Sequence, residues 1–129
     1  MTERRLALAV AAALTLTVLL LSLLPGVAEE GDRQFQWHVA AVPSALQNAM
    51  HLVLYAALAV AWLWALRPDA RPLRTVLLLI AFGAAIELAQ LFVPGRFAGL
   101  LDAGLNAAGV LLGAGLFGPL RRYLKPEPP

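Results

Sequence analysis

The chain contains no cysteine, which excludes disulfides, thiolate metal sites and cysteine nucleophiles at once. Charge is scarce as well, at 14% of 129 residues, and Lys125 is the one lysine among mostly arginine cations. A formal charge of +2, with no basic segment interleaved with aromatics, argues against nucleic acid as a partner. What is abundant is apolar: 60% of the residues are hydrophobic and the mean hydropathy is +0.74. A soluble globule of this length keeps much of its surface exposed and could not hide that much apolar area.

Four apolar runs nearly fill the chain, at about 6–24, 45–66, 75–93 and 99–120. The first is free of charge from Leu6 to Leu24 and reaches roughly 28 Å at helical rise, close to the hydrocarbon thickness of a bilayer. Each run stops at a breaker or a charge: Pro25-Gly26, Arg67-Pro68, Pro94-Gly95-Arg96, and Pro119 with Arg121-Arg122. None alternates with the period of a barrel strand, so helices are the spanning structure. The expectation is an all-α integral membrane bundle of four transmembrane helices, a single domain over 1–129. Arg4-Arg5, the apolar core and Gly26-Val27-Ala28 before Glu29 also outline a signal peptide. The core exceeds the roughly 7–15 residues of such leaders, and the run is read as an uncleaved helix.

Orientation follows from the basic residues near the span ends. Arg4, Arg5, Arg67, Arg71, Arg74, Arg121, Arg122 and Lys125 fall on one side, and only Arg33 and Arg96 on the other. The second side also holds Glu29, Glu30 and Asp32. The reading is N-in/C-in in the cytoplasmic (inner) membrane. Phe35, Trp37 and His38 are then expected at the outer interface, and Trp62 and Trp64 at the inner one.

Polar groups inside the spans are costly in lipid and are functional candidates by default. Asn48, His51 and Tyr55 are spaced to share one helical face, as are Glu87 with Gln90 and Asp102 with Asn106. Arg96 lies in the tight connection before the last span. Counting from the expected boundaries places His51 and Glu87 about 9 Å below the outer surface and Asp102 about 5–8 Å below it. Three helices thus present polar faces at one level, while their inner halves are almost purely apolar. Glu87 and Asp102 are balanced by Arg96 and by a proton on His51 or a carboxyl, or by an external cation. Gly109 and Gly113 form a small-xxx-small pair, and Gly83 lies midway along the third span. The first span carries none of this and reads as an anchor.

These residues also form ordered motifs. His51-Leu-Val-Leu-Tyr55 is a His-x3-Tyr; Glu87-Leu88-Ala89-Gln90 runs on to Pro94-Gly95-Arg96; Asp102 is followed by Asn106-Ala-Ala-Gly109. In this order, over roughly residues 46–115, the chain resembles the VanZ-like family. The resemblance implies a four-helix cytoplasmic-membrane protein of a bacterium, in a family named for a member associated with low-level resistance to the glycopeptide teicoplanin. Such sequences often carry Asp-Lys just ahead of the His, where this chain has Gln47-Asn48.

Three functions fit. The first is a factor that binds or modifies a cell-envelope amphiphile: a membrane lipid, a lipid-linked envelope precursor or a lipophilic glycopeptide. Its head group would meet His51, Tyr55, Glu87, Gln90, Arg96, Asp102 and Asn106. The second is an intramembrane enzyme with His51 and Glu87 as acid/base pair. The third is a transporter subunit, which needs an oligomer because the polar layer stops halfway. Binding is placed ahead of catalysis. No cofactor is called for; His51, Glu87 and Asp102 would make only a non-diagnostic N/O metal set. The outer parts of the three polar faces hold no serine or threonine to act as a nucleophile.

Overall fold

The computed structural model describes residues 2–25, 44–66, 71–96 and 98–123. They form four helices, α1 (Thr2–Leu23), α2 (Ser44–Ala65), α3 (Pro72–Gln90) and α4 (Leu100–Tyr123), with no strand among the described residues. Each is long and apolar enough to cross a membrane, so the all-α four-span expectation holds and the chain is a multi-pass membrane protein. The readings on Arg33, Phe35, Trp37, His38, Lys125 and the Gly26-Val27-Ala28 cleavage site lie outside the described residues.

The helix ends differ from expectation for local reasons. Helix α1 begins at Thr2 and takes in Arg4 and Arg5, because charge bars a residue from hydrocarbon but not from a helix. Pro72 opens α3 at its first turn, where a missing N–H costs nothing. That helix stops at Gln90: the N–H groups of Leu91, Phe92 and Val93 turn back onto Leu88, Ala89 and Gln90. Gly95, at φ 71°, then reverses the chain in a conformation that a side chain would strain. Pro119 does not end α4, which continues to Tyr123. The carbonyl that loses its partner belongs to Gly115, near the helix terminus.

Helix α2 packs most extensively against α4, α1 lies along α2, and α3 lies along α4. Ala7 and Ala11 of α1 cluster with Ala61 and Ala65 of α2, whereas Val18 meets the Tyr55–Leu58 region. Those two helices are therefore antiparallel. Lipid supplies no hydrophobic drive between helices, so close approach of small residues carries the packing. It is closest on α4. A methyl placed on Gly109 would lie 2.5 Å from the Leu52 carbonyl oxygen, and one on Gly113 would overlap the backbone of Ala56. The central cluster is Val18, Tyr55, Leu58, Ala59, Leu79, Ile86 and Val110. Thr15 and Thr17 bond their hydroxyls to the carbonyls of Ala11 and Ala13, which satisfies them within their own helix. Trp62 also joins α2 to α1. It is half-buried and donates its indole N–H to Thr15 Oγ1 at 3.0 Å.

Candidate functional site

The polar residues collect at the end of the bundle where α1 and α3 finish and α2 and α4 begin, here termed the polar end. Asn106 is its centre and is 1% exposed. Its Oδ1 lies 2.8 Å from His51 Nδ1, and its Nδ2 donates to Glu87 Oε1 at 3.2 Å. The second Glu87 oxygen accepts the N–H of Gly99 at 3.3 Å. Gly99 precedes the first residue of α4, so Glu87 takes up one of the donors that the start of that helix cannot pair internally. A carboxylate there also meets the positive end of the helix dipole. Glu87 thus joins α3 to α4, and Asn106 joins α2 to both.

This arrangement sets the chemistry of His51. With both Glu87 oxygens facing N–H groups, Asn106 presents its amide nitrogen to Glu87 and its carbonyl to His51. Nδ1 of His51 is therefore the protonated nitrogen in that bond, and Nε2 is left to other partners.

Beside this chain of bonds a half-open cavity of about 160 Å³ lies between α1 and α2. Val18, Leu21, Met50 and Leu54 give it apolar walls; Gln47, His51, Tyr55, Gln90, Ser22 and Arg96 bring polar groups to it. Tyr55 is 2% exposed, and its hydroxyl has no hydrogen-bond partner among the described residues. Its ring rests against Gly83, where a methyl would come within 3.0 Å of Cε1, and lies 6.5 Å from the Phe82 ring.

A family model described as VanZ/LLP1 matches residues 6–121. The chain belongs to the VanZ/LLP1 family. No curated protein and no solved structure matches it. The three motifs that carry the family resemblance are the three segments that meet at the polar end. His-x3-Tyr supplies His51 and Tyr55, the Glu87–Arg96 block supplies the α3 terminus, and Asn106-x2-Gly109 supplies both the central amide and a close contact with α2.

Two of the sequence-derived candidates are engaged differently from expectation. Asp102 is half-buried in the first turn of α4, its carboxylate beside the Gly99 α-carbon. It makes no hydrogen bond or ion pair among the described residues and lines no part of the cavity. A donor set of His51, Glu87 and Asp102 does not assemble: no group of three His, Asp or Glu fit to hold a metal occurs among the described residues. Arg96 does not offset the carboxylates by contact. It turns to α1, donating from Nε to the Leu24 carbonyl at 2.9 Å and from Nη2 to the Leu21 carbonyl at 2.7 Å.

Gln90, 5% exposed, likewise donates to the Ser22 carbonyl at 3.0 Å. The last carbonyls of α1 have no partners within their helix, and α1 carries no basic residue in its last turn. Arg96 supplies both the missing donors and the cation that a helix C-terminus favours. Helix α1 is therefore part of the site and not a plain anchor. It also brings Ser22 to the cavity, the one aliphatic hydroxyl among the lining residues described. Residues 6–24 give no sign of this role in sequence, because backbone carbonyls make the contacts.

Proposed function

We propose that the polar end binds, or binds and modifies, the head group of a cell-envelope amphiphile in the outer leaflet of a bacterial cytoplasmic membrane. The observation that carries this reading is the amphipathic cavity: apolar walls of Val18, Leu21, Met50 and Leu54 beneath the polar groups of His51, Gln47, Gln90 and Arg96. That combination matches a molecule with an apolar body and a hydrogen-bonding head. The excess of basic residues at the opposite end supports placing the polar end outside, with N-in/C-in topology. Asn106 and Glu87 act from behind, fixing the tautomer and orientation of His51. Family membership adds an association with glycopeptide resistance, so the occupant is a membrane lipid, a lipid-linked envelope precursor or a lipophilic glycopeptide.

The test is resistance. Wild-type protein and variants are expressed in a glycopeptide-susceptible Gram-positive host, and inhibitory concentrations of teicoplanin are measured with membrane protein levels alongside. His51→Gln and Glu87→Gln should bring the inhibitory concentration down to that of the host alone while the protein still accumulates. Asp102→Asn, outside the cavity, should keep more of the effect. Full resistance in both the His51 and Glu87 variants would sink the reading.

A second reading, an intramembrane acid/base enzyme, is favoured by the His51–Asn106 bond. A histidine held by Nδ1 offers Nε2 as a base or an acid beside a cavity. It differs in one outcome: His51→Gln would then abolish turnover of a lipid-linked substrate and leave its binding intact.

A further inference from the structure

The walls of the cavity bear on how its occupant arrives. At the far end of the bundle, the alanines of α1 and α2 close the gap between these helices. Toward the polar end the bonds from Arg96 to Leu21 and Leu24 tie the 94–96 turn to α1, and the Gln90–Ser22 bond ties α3 to it. The residues of the cavity that face outward between α1 and α2 are Leu21, 44% exposed, and Met50, 42% exposed. In a membrane-spanning bundle such a surface faces hydrocarbon. Tyr55 lines the cavity, and its hydroxyl is buried with no partner among the described residues. A buried polar group left unpaired in a folded protein calls for an explanation, and an acceptor on a ligand, met by a movement of the Tyr55 ring toward the cavity it lines, is one.

We infer that the occupant is a chain-bearing lipid that enters sideways from the bilayer between Leu21 and Met50. Once it is seated, Tyr55 donates a hydrogen bond to the oxygen that links its chain to its head. This deepens the proposed head-group role and rests on it. A cavity of about 160 Å³ is smaller than the roughly 300–1,000 Å³ of pockets that enclose a whole ligand. It holds the neck of the lipid only, with the chain left between the lips and in the surrounding bilayer. The required chemistry, an apolar chain joined through an ester or phosphoester oxygen, is shared by glycerophospholipids and polyprenyl phosphates.

The full chain, purified in detergent, is incubated with a phosphatidylglycerol or, separately, with a polyprenyl phosphate, and retained lipid is counted by native mass spectrometry. Wild type should retain at least one of the two, and the arm that is positive identifies the source. Tyr55→Phe should reduce retention about five-fold, the scale of one net hydrogen bond. Its thermal midpoint should stay level or rise, because the hydroxyl has no partner to lose among the described residues. Leu21→Cys with Met50→Cys, bridged by a short bis-maleimide, should load neither lipid, while each singly labelled variant still loads. The absence of native cysteine makes that bridge unique. Equal retention by Tyr55→Phe, a lowered midpoint in that variant, or normal loading of the bridged protein overturns sideways entry with a Tyr55 contact and leaves the head-group reading standing. Retention of neither lipid by wild type overturns the inference of a chain-bearing lipid and leaves the head-group reading to the resistance test.

Discussion

At the scale of single residues, Asn106 carries more than its chemistry suggests. One amide satisfies His51 on α2 and Glu87 on α3, and in hydrocarbon no water is at hand to replace it. Asn106→Leu keeps the branched four-atom side chain but removes both bonds, leaving buried Glu87 and half-buried His51 each short of a partner, at a cost on the order of 3 kcal/mol. Glu87→Gln is milder. Its one remaining oxygen can accept from either Asn106 or Gly99, so roughly one bond is lost, about 1–2 kcal/mol. Unfolding in mixed micelles should rank the two variants in that order below wild type, and an Asn106→Leu protein as stable as wild type would remove the amide from the centre of the site. Arg96 makes a different prediction, because its Nε and Nη2 reach two separate carbonyls and a lysine offers one point of attachment. Arg96→Lys should raise hydrogen exchange in the last turn of α1, with α3 and α4 unaffected. Unchanged protection there would mean that the tether does not hold α1.

At the scale of elements, the spans were legible because their apolar runs are long and end at charges or breakers, but partner choice was not. The pair Gly109 and Gly113 is a common pattern in apolar sequence; the structure makes it specific by placing the Leu52 and Ala56 backbones against it. Gly113→Ala should separate α2 from α4, since what blocks the new methyl is backbone and cannot rotate away. The expected result is loss of the folded protein from membranes. Gly104 and Gly115 meet nothing within 4 Å, and alanine there should be neutral or stabilising by up to about 1 kcal/mol through helix propensity. Comparing accumulation of the three alanine variants checks this; equal loss at Gly104 and Gly113 would argue against the packing. The same contrast explains where the sequence misled. Spacing put Asp102 with Asn106 on one face, and Asn106 reached the site while Asp102 stayed at the helix start. Pro119 reads as a stop by its missing N–H, yet α4 runs through it. The role of α1 was invisible, since no side chain of Leu6–Leu24 announces which carbonyls a distant arginine will find.

At the scale of the whole molecule, the bundle is polarised. One end gathers His51, Glu87, Gln90, Arg96 and Asn106; the other is joined by small residues and flanked by Arg4, Arg5, Arg71, Arg74 and Arg121. One argument sets the axis, and the proposed site depends on it. Basic residues near span ends tend to be retained on the cytoplasmic side, and the proposed N-in/C-in orientation puts the polar end outward. A site for an outer-leaflet lipid needs its polar residues at that same end. The prediction is tested with the cysteine-free chain as background, using Ser44→Cys at the polar end and Pro72→Cys at the other, both exposed positions. In intact cells a membrane-impermeant maleimide should label the Ser44 variant and leave the Pro72 variant unlabelled until the membrane is opened. Replacing Arg67, Arg71 and Arg74 together by Gln should weaken that preference, because it removes three of the eight basic residues on the retained side. Labelling of Pro72→Cys alone in intact cells would turn the bundle over. The cavity would then face the inner leaflet, and any occupant would have to be drawn from there.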